Sequence, residues 1–191
     1  MTQESRVAFL RGKRTILRPV MKTDLSSIVR WINDPEVRRF ISTNFPQTEE
    51  DEEEWLRNLS KKKGKDVVLV VETLEGVAIG LMGIHQIHDE DRTATTGALI
   101  GESEYWGKGL GKDAKKNLLN YAFNTLNLRK ISSRVIAYNE RSLRYSLSCG
   151  YKEEGRLKAQ AFREGQFWDV VLLAIFREDF EPVWQAYQAE E

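Results

Sequence analysis

Apolar and polar positions along the chain change period several times, and each change marks an element. "TILRP" (15–19) alternates and stops at a proline, so it predicts a short strand. "TDLSSIVRWIND" (23–34) has helical spacing, with Thr23 or Asp24 as N-cap and Pro35 just beyond its end. "TEEDEEEWLRNLSKKKGK" (48–65) predicts a second helix, capped by Thr48 with Asp51 where a capping-box carboxylate belongs. "DVVLVVETLEGVAIGLMGIHQI" (66–87) reads as two strands around a turn at "TLEG", and "TATTGALIG" (93–101) as a third. A glycine-rich stretch then opens an amphipathic helix within "SEYWGKGLGKDAKKNLLNYAF" (103–123). The strand "KISSRVIAY" (130–138) and the helix "NERSLRYSLSCG" (139–150) follow, then two long strands around "REGQ" and a terminal helix in "REDFEPVWQAYQAEE" (177–191). Strands and helices in this order predict an α+β fold. Its central sheet would be mixed and mostly antiparallel, with a strand–helix–strand crossover in the middle and helices on its faces.

Composition narrows the class. The 191 residues suit one domain; 41% are hydrophobic and 30% charged, as in ordinary globular proteins. A formal net charge of zero argues against broad electrostatic binding to nucleic acid or an anionic membrane. One cysteine allows no internal disulfide and fits a reducing compartment. The first residues lack the pattern of a secretory signal, and no stretch approaches the roughly 20 apolar residues of a membrane span. A cytoplasmic monomer or homodimer is the expectation. No His/Cys/Asp spacing points to a metal.

The chemistry concentrates at Gly107, Gly109 and Gly111. Glycines are costly where a helix must begin, unless something approaches the backbone closely. The free N–H groups and the dipole of a helix start make an anion site. A phosphate P-loop would need Ser or Thr after Lys112, and Asp113 stands there. A dinucleotide fingerprint fits only loosely through Gly109, Gly111 and Ala114, with no acidic residue ending the next strand to hold a ribose.

"WGKGLG" (106–111) resembles the pyrophosphate loop of the GNAT N-acetyltransferases, R/Q-x-x-G-x-G/A, except that Trp106 stands where Arg or Gln is usual. "NERSLRYSLSCGYKEEG" resembles that family's second motif. "FREGQFWDVVLLAIFREDF" resembles the closing hairpin of the Rim-type and polyamine branches, and "WINDPEVRRFI" their first-helix segment. The likeness runs from 15 to 180, within one domain over 1–191 whose last residues, 181–191, form a helix or tail. It extends to the Rim-type branch, which acetylates ribosomal-protein N-termini.

The resemblance implies acetyl-CoA as cofactor and an amine acceptor, possibly a protein N-terminus, that attacks the thioester directly in a ternary complex. It places Trp106, Gly107, Lys108, Gly109, Leu110, Gly111 and Lys112 on the pyrophosphate, Leu99, Ile100 and Gly101 on the pantetheine arm, and Asn139 on the cofactor or as a helix cap. Many members carry a tyrosine acid where Ser146 stands; the serine four residues into the motif, here Ser142, is then the candidate proton donor. Asn139, Ser142 and Ser146 share one helical face, with Leu143 and Leu147 as an apolar stripe beside it. The strand position that often holds a basic glutamate is Thr95. His85, Glu102 and Glu104 remain as possible bases. Trp31, Asn44, Phe45 and His85, with the hairpin around Phe162 to Phe167, are expected to frame the acceptor. Cys149 reads as packing, and the acidic run Glu49 to Glu54 as a helix start. A polyamine or aminoglycoside acceptor, or a non-catalytic acyl-CoA-binding module, stands as the alternative.

Overall fold

The computed structural model describes residues 7–61 and 64–190. Eight strands form one sheet: β1 Leu10–Arg11, β2 Thr15–Pro19, β3 Val67–Thr73, β4 Ala78–His88, β5 Thr93–Ile100, β6 Lys130–Ile136, β7 Lys152–Arg163 and β8 Gln166–Phe176. Their spatial order is β1-β2-β3-β4-β5-β6-β8-β7. Every neighbouring pair is antiparallel except β5 with β6. Among the described residues there are six α-helices: α1 Leu25–Asn33, α2 Pro35–Arg38, α3 Glu49–Lys61, α4 Leu110–Asn120, α5 Glu140–Ser148 and α6 Arg177–Ala189.

One face of the sheet buries Leu17, Met82, Ile84, Ala94, Ile131 and Ile175 against Ala114, Leu118 and Leu119 of α4, with Phe123 and Phe180 closing the core. The opposite face is covered from the first-helix segment, where Ile28, Trp31 and Val37 are buried. β7, on the sheet edge, is mostly exposed and rich in charge, a composition that discourages edge-to-edge association.

Local signals explain most boundaries. The Thr48 N–H donates to Asp51 at 2.8 Å and the Asp51 N–H to the Thr48 hydroxyl at 3.2 Å, closing the expected capping box. The expected helix over 48–65 ends at Lys61; its Lys62 and Lys63 lie outside the described residues. Asn139 caps α5, its Oδ1 accepting from the Ser142 N–H at 3.1 Å. Asp24 behaves differently from a simple cap. Its carboxylate accepts from both guanidinium ends of buried Arg18, at 2.8 and 2.9 Å, and from the Met21 N–H at 2.8 Å. Glu72 of β3 accepts from Arg18 Nε at 2.6 Å, so the network fixes the entry to α1 to strands β2 and β3. Pro35 does more than end α1: it is the first residue of α2, capped by Asp34 at 2.8 Å from the Glu36 N–H.

Candidate active site

The parallel pair β5–β6 supplies the cleft. Pairing covers only Thr93 to Thr95 against Lys130 to Ser132, yet β5 runs on to Ile100 and β6 to Ile136. Beyond that point the two strands splay, and half of each backbone's hydrogen-bonding groups lose their strand partner. Side chains stitch the apex of the splay. Ser133 Oγ donates to the Thr96 carbonyl at 3.4 Å, and the Thr96 hydroxyl meets the Tyr151 hydroxyl at 2.7 Å.

The glycine loop lies at the open end. Gly107 and Gly109 have φ of +75° and +80°, the left-handed region that side chains avoid. A Cβ on Gly107 would meet nothing within 4 Å, so open space lies over that residue. The first helical hydrogen bond of α4 runs from the Asp113 N–H to the Gly109 carbonyl, at 3.1 Å. The N–H groups of Leu110, Gly111 and Lys112 precede it and are those a helix start leaves for an outside acceptor. Lys108 stands with its ammonium 5.2 Å over the Tyr105 ring. Arg14 is a cation that sequence reasoning missed. Its Nη1 donates to the Lys108 carbonyl at 2.6 Å. Asp113 puts it there, accepting from the Lys13 and Arg14 amides, the Thr15 hydroxyl at 2.6 Å and the Tyr187 hydroxyl at 2.6 Å.

Gly101, Trp31 and Trp106 make defined contacts within the protein. Gly101 is required by packing: a Cβ there would fall 2.0 Å from the Trp31 ring. Trp31 is fully buried and donates from Nε1 to Glu102 at 2.8 Å, so it supports the end of β5 from beneath instead of lining an acceptor site. Trp106 donates from Nε1 to the Ile100 carbonyl at 2.7 Å, which ties the loop to the strand end. Its ring seats the Arg141 guanidinium 3.7 Å from the ring centre, and Arg141 also lies 5.2 Å from the Phe40 ring.

On α5, Ser142 is half-buried and Ser146 fully buried, whereas Leu147 is 51% exposed and does not extend the apolar stripe of Leu143. Tyr145 turns toward α4, its ring 3.7 Å from where a Gly111 Cβ would stand. Its buried hydroxyl has no hydrogen-bond partner, and burial pushes its pKa well up. Lys115 of α4 is also buried, with its ammonium 5.7 Å from both the Tyr145 and Tyr151 rings; desolvation lowers its pKa to about 8. Cys149 is buried and its thiol pushed up by desolvation, the signature of inert packing.

Among the candidate bases, Glu102 accepts from Arg30 and Trp31. The Arg30 guanidinium holds its carboxyl below the usual range, so it stays an anion committed to that pair. Glu104 is exposed in the turn before the loop. His85 lies across from Thr95, its neighbour on β5. Asn44 and Phe45 are exposed in the segment between α2 and α3, and Phe162 and Phe167 pair with ring centres 5.0 Å apart on the closing hairpin. Hairpin and segment are tied together: Arg163 donates to the Ile41 carbonyl at 3.3 Å and Arg39 pairs with Glu164 at 3.3 Å. Among the described residues no His/Cys/Asp/Glu group is arranged to hold a metal, and no helix is long and apolar enough to cross a membrane.

A splayed parallel pair, two left-handed glycines, one under open space and one beneath the Arg14 guanidinium, and the amides of a helix start fit a ligand with a pyrophosphate and a long amide-bearing arm. This is the architecture of an acyl-CoA-dependent transferase. The model of the GNAT acetyltransferase domain matches residues 14–152, and the chain belongs to that family. It is similar to the spermidine N(1)-acetyltransferase of Vibrio cholerae, at 30% identity over 86% of this chain and 94% of the relative. The crystal structure of spermidine N-acetyltransferase from that organism in complex with CoA and spermine superposes with a TM-score of 0.80, covering 87% of this chain and 97% of that one at 27% identity. The putative ribosomal N-acetyltransferase YdaF of Bacillus subtilis is 26% identical over 67% of this chain and 68% of its own length. The protein is therefore an acetyl-CoA-dependent N-acetyltransferase, with relatives in both the polyamine and the ribosomal branches.

Proposed function

We propose that the acceptor is the free α-amine of a peptide or protein. The observation that carries this reading is the rim of the site. Arg39, Arg141 and Arg163 stand among Phe40, Tyr138, Trp168 and the exposed Phe162 and Phe167. A polyamine carries several ammonium charges and needs carboxylates to hold them. Glu164 of this rim is already paired with Arg39. Arginines and aromatic rings suit a peptide whose first residues carry apolar or acidic side chains. The acidic run of α3 serves its own helix start through the Thr48–Asp51 box.

Acetyl-CoA supplies an activated acetyl group on a thioester. The N–H groups from Gly107 to Lys112, with Lys108 and Arg14, hold the pyrophosphate in this reading. In this reading the edge of β5 that opens beyond Thr95 faces the pantetheine amides, with the Ile100 carbonyl at its end already taken by Trp106. Catalysis then rests mainly on positioning and on backbone stabilisation of the oxyanion. Ser142, half-buried in the first turn of α5, gives its proton to the departing thiolate. Tyr145 is turned away toward α4 and takes no part.

The second reading, a polyamine acceptor, is favoured by the relatives that act on spermidine. Comparing kcat/KM at one pH for spermidine and for a short free-amine peptide with Glu or Asp at its second and third residues separates the two. The peptide is expected to be acetylated faster. Spermidine faster by tenfold would overturn the peptide reading and give Glu49 to Glu54 an acceptor role.

A further inference from the structure

We infer that His85 is the general base that deprotonates the acceptor amine, reaching the reaction centre from β4 where the family resemblance expects a glutamate on β5. Thr95 stands at that β5 position and cannot take a proton. Its cross-strand partner is His85, and directly opposite residues on antiparallel strands put their side chains on one face, about 5 Å apart. A base on His85 therefore serves the same volume from the neighbouring strand.

The ring's seat is built for it. Gly83 of β4 and Gly97 of β5 are themselves an opposed pair. A Cβ on Gly83 would lie 2.7 Å from His85 Nε2 and one on Gly97 3.5 Å from it. The imidazole thus lies across two side-chain-free positions, with Nε2 nearer the Gly83 side and bordering the Gly97 side. Gly97 is two residues past the last parallel pair, Thr95 with Ser132, so the ring borders β5 where that strand begins to part from β6. The face is the one α1 covers, since Gly101, two alternations further along β5, lies against Trp31.

The other ring nitrogen has an anion behind it. Asp66 Oδ1 is 3.9 Å from Nδ1, and the same oxygen is held by the Gln86 N–H at 3.0 Å. Gln86 is a β-bulge residue with φ of +53°, and the bulge lies between His85 and His88 in the β4–β5 register. The bulge aims the Gln86 amide at Asp66, which favours the imidazolium once it forms.

The step balances as follows. An alkylammonium acceptor gives one N–H proton to Nε2. The freed lone pair forms the N–C bond at the thioester carbonyl as the C–S bond breaks. The Ser142 hydroxyl gives its proton to the departing sulfur and is replenished by the remaining surplus N–H proton, leaving amide, free thiol and imidazolium, which returns its proton to water.

The proposal holds for either acceptor class, so its test is separable from the peptide reading. His85→Gln is compared with wild type on spermidine and on the acidic peptide. We expect kcat to fall roughly 10²-fold on whichever acceptor the wild type uses, with acetyl-CoA Kd by calorimetry unchanged. Hydroxylamine, already neutral at neutral pH, should lose less than threefold. Imidazole added to His85→Ala should restore part of the rate, and His88→Gln should behave as wild type. A readout free of turnover comes from the ring itself. The chain has two histidines, so the Cε1 proton resonance lost in His85→Gln identifies His85. That resonance should move when acetyl-CoA is added, while His88 stays. Equal loss on hydroxylamine and on a basic amine, or a rise in acceptor KM with kcat intact, would make His85 a contact and overturn the assignment. A His85 resonance that ignores acetyl-CoA would remove the ring from the site.

Discussion

Gly107 offers a test of the cofactor loop that separates binding from backbone strain. Its φ of +75° is matched by Gly165, at +80°, in the hairpin turn; a Cβ at either would meet no protein atom within 4 Å. Replacing either by alanine costs about 1–2 kcal/mol for the left-handed backbone. Restricting the unfolded chain returns about 0.4–1 kcal/mol of that. The net loss is about 1 kcal/mol at each site, a fall of about 2–4 °C in Tm for a chain this size. The two variants should therefore melt alike. They should differ in acetyl-CoA affinity, because only the space over Gly107 lies beside the α4 amides. A methyl group there forces phosphate oxygens away from those N–H donors. We expect Kd to rise at least tenfold, equivalent to about 1.4 kcal/mol, while Gly165→Ala leaves it unchanged. Calorimetric titration with acetyl-CoA, alongside thermal melts, measures both. Equal affinities for Gly107→Ala and wild type, with both folded, would refute the claim that this open space receives the pyrophosphate.

Two further outcomes follow from α5 and the α4–α5 interface. Ser142→Ala should lower kcat by roughly 10²-fold with little change in acetyl-CoA Kd, while Tyr145→Phe, which removes an unpartnered buried hydroxyl, should leave kcat unchanged and not lower Tm. Lys115, with its folded pKa near 8 against an unfolded value near 10.5, binds fewer protons folded than unfolded between those values, so stability rises with pH through that window and the penalty is complete below it. Lys115→Met should accordingly stabilise the protein at pH 7 by about 2–3 kcal/mol, a gain that shrinks as denaturant melts are repeated up to pH 10; a gain independent of pH would show that packing, not charge, is its source.

The glycine loop, the start of α4 and the Asn139 cap were legible because their residues are neighbours in sequence. Left-handed glycines, a helix start and an Asn cap each leave a mark within a few positions, and 103–111 and 139–150 carry all three. Element order was legible for the same reason, since Thr48, Asp51, Pro19 and the "TLEG" turn act locally. What failed was anything fixed by distant contact. The resemblance set Gly101 against the cofactor arm, and nothing near it in sequence showed that its missing side chain makes room for Trp31, seventy positions earlier. The same resemblance set Trp31 beside the acceptor, and its burial under the end of β5 could not be read from its own helix. Asp113 entered the reading of the sequence only as the residue that breaks a P-loop, yet in the fold it holds Thr15 and Tyr187.

Trp106 shows how such a departure can be completed in space. At the loop position where the family motif carries Arg or Gln, a tryptophan supplies no charge to an anionic ligand. Its ring instead seats Arg141, delivered from the first turn of α5, with the guanidinium 3.7 Å from the ring centre. The same cation lies 5.2 Å from the Phe40 ring, so one stack links the segment after α2, the glycine loop and the helix that carries Ser142. The charge missing at position 106 thus stands thirty-five residues later in the chain and within contact of it in the fold. A motif read in one window registers only the loss. The stack also gives Trp106 a reason to be aromatic that glutamine or arginine could not meet, because neither offers the π face on which the Arg141 guanidinium rests.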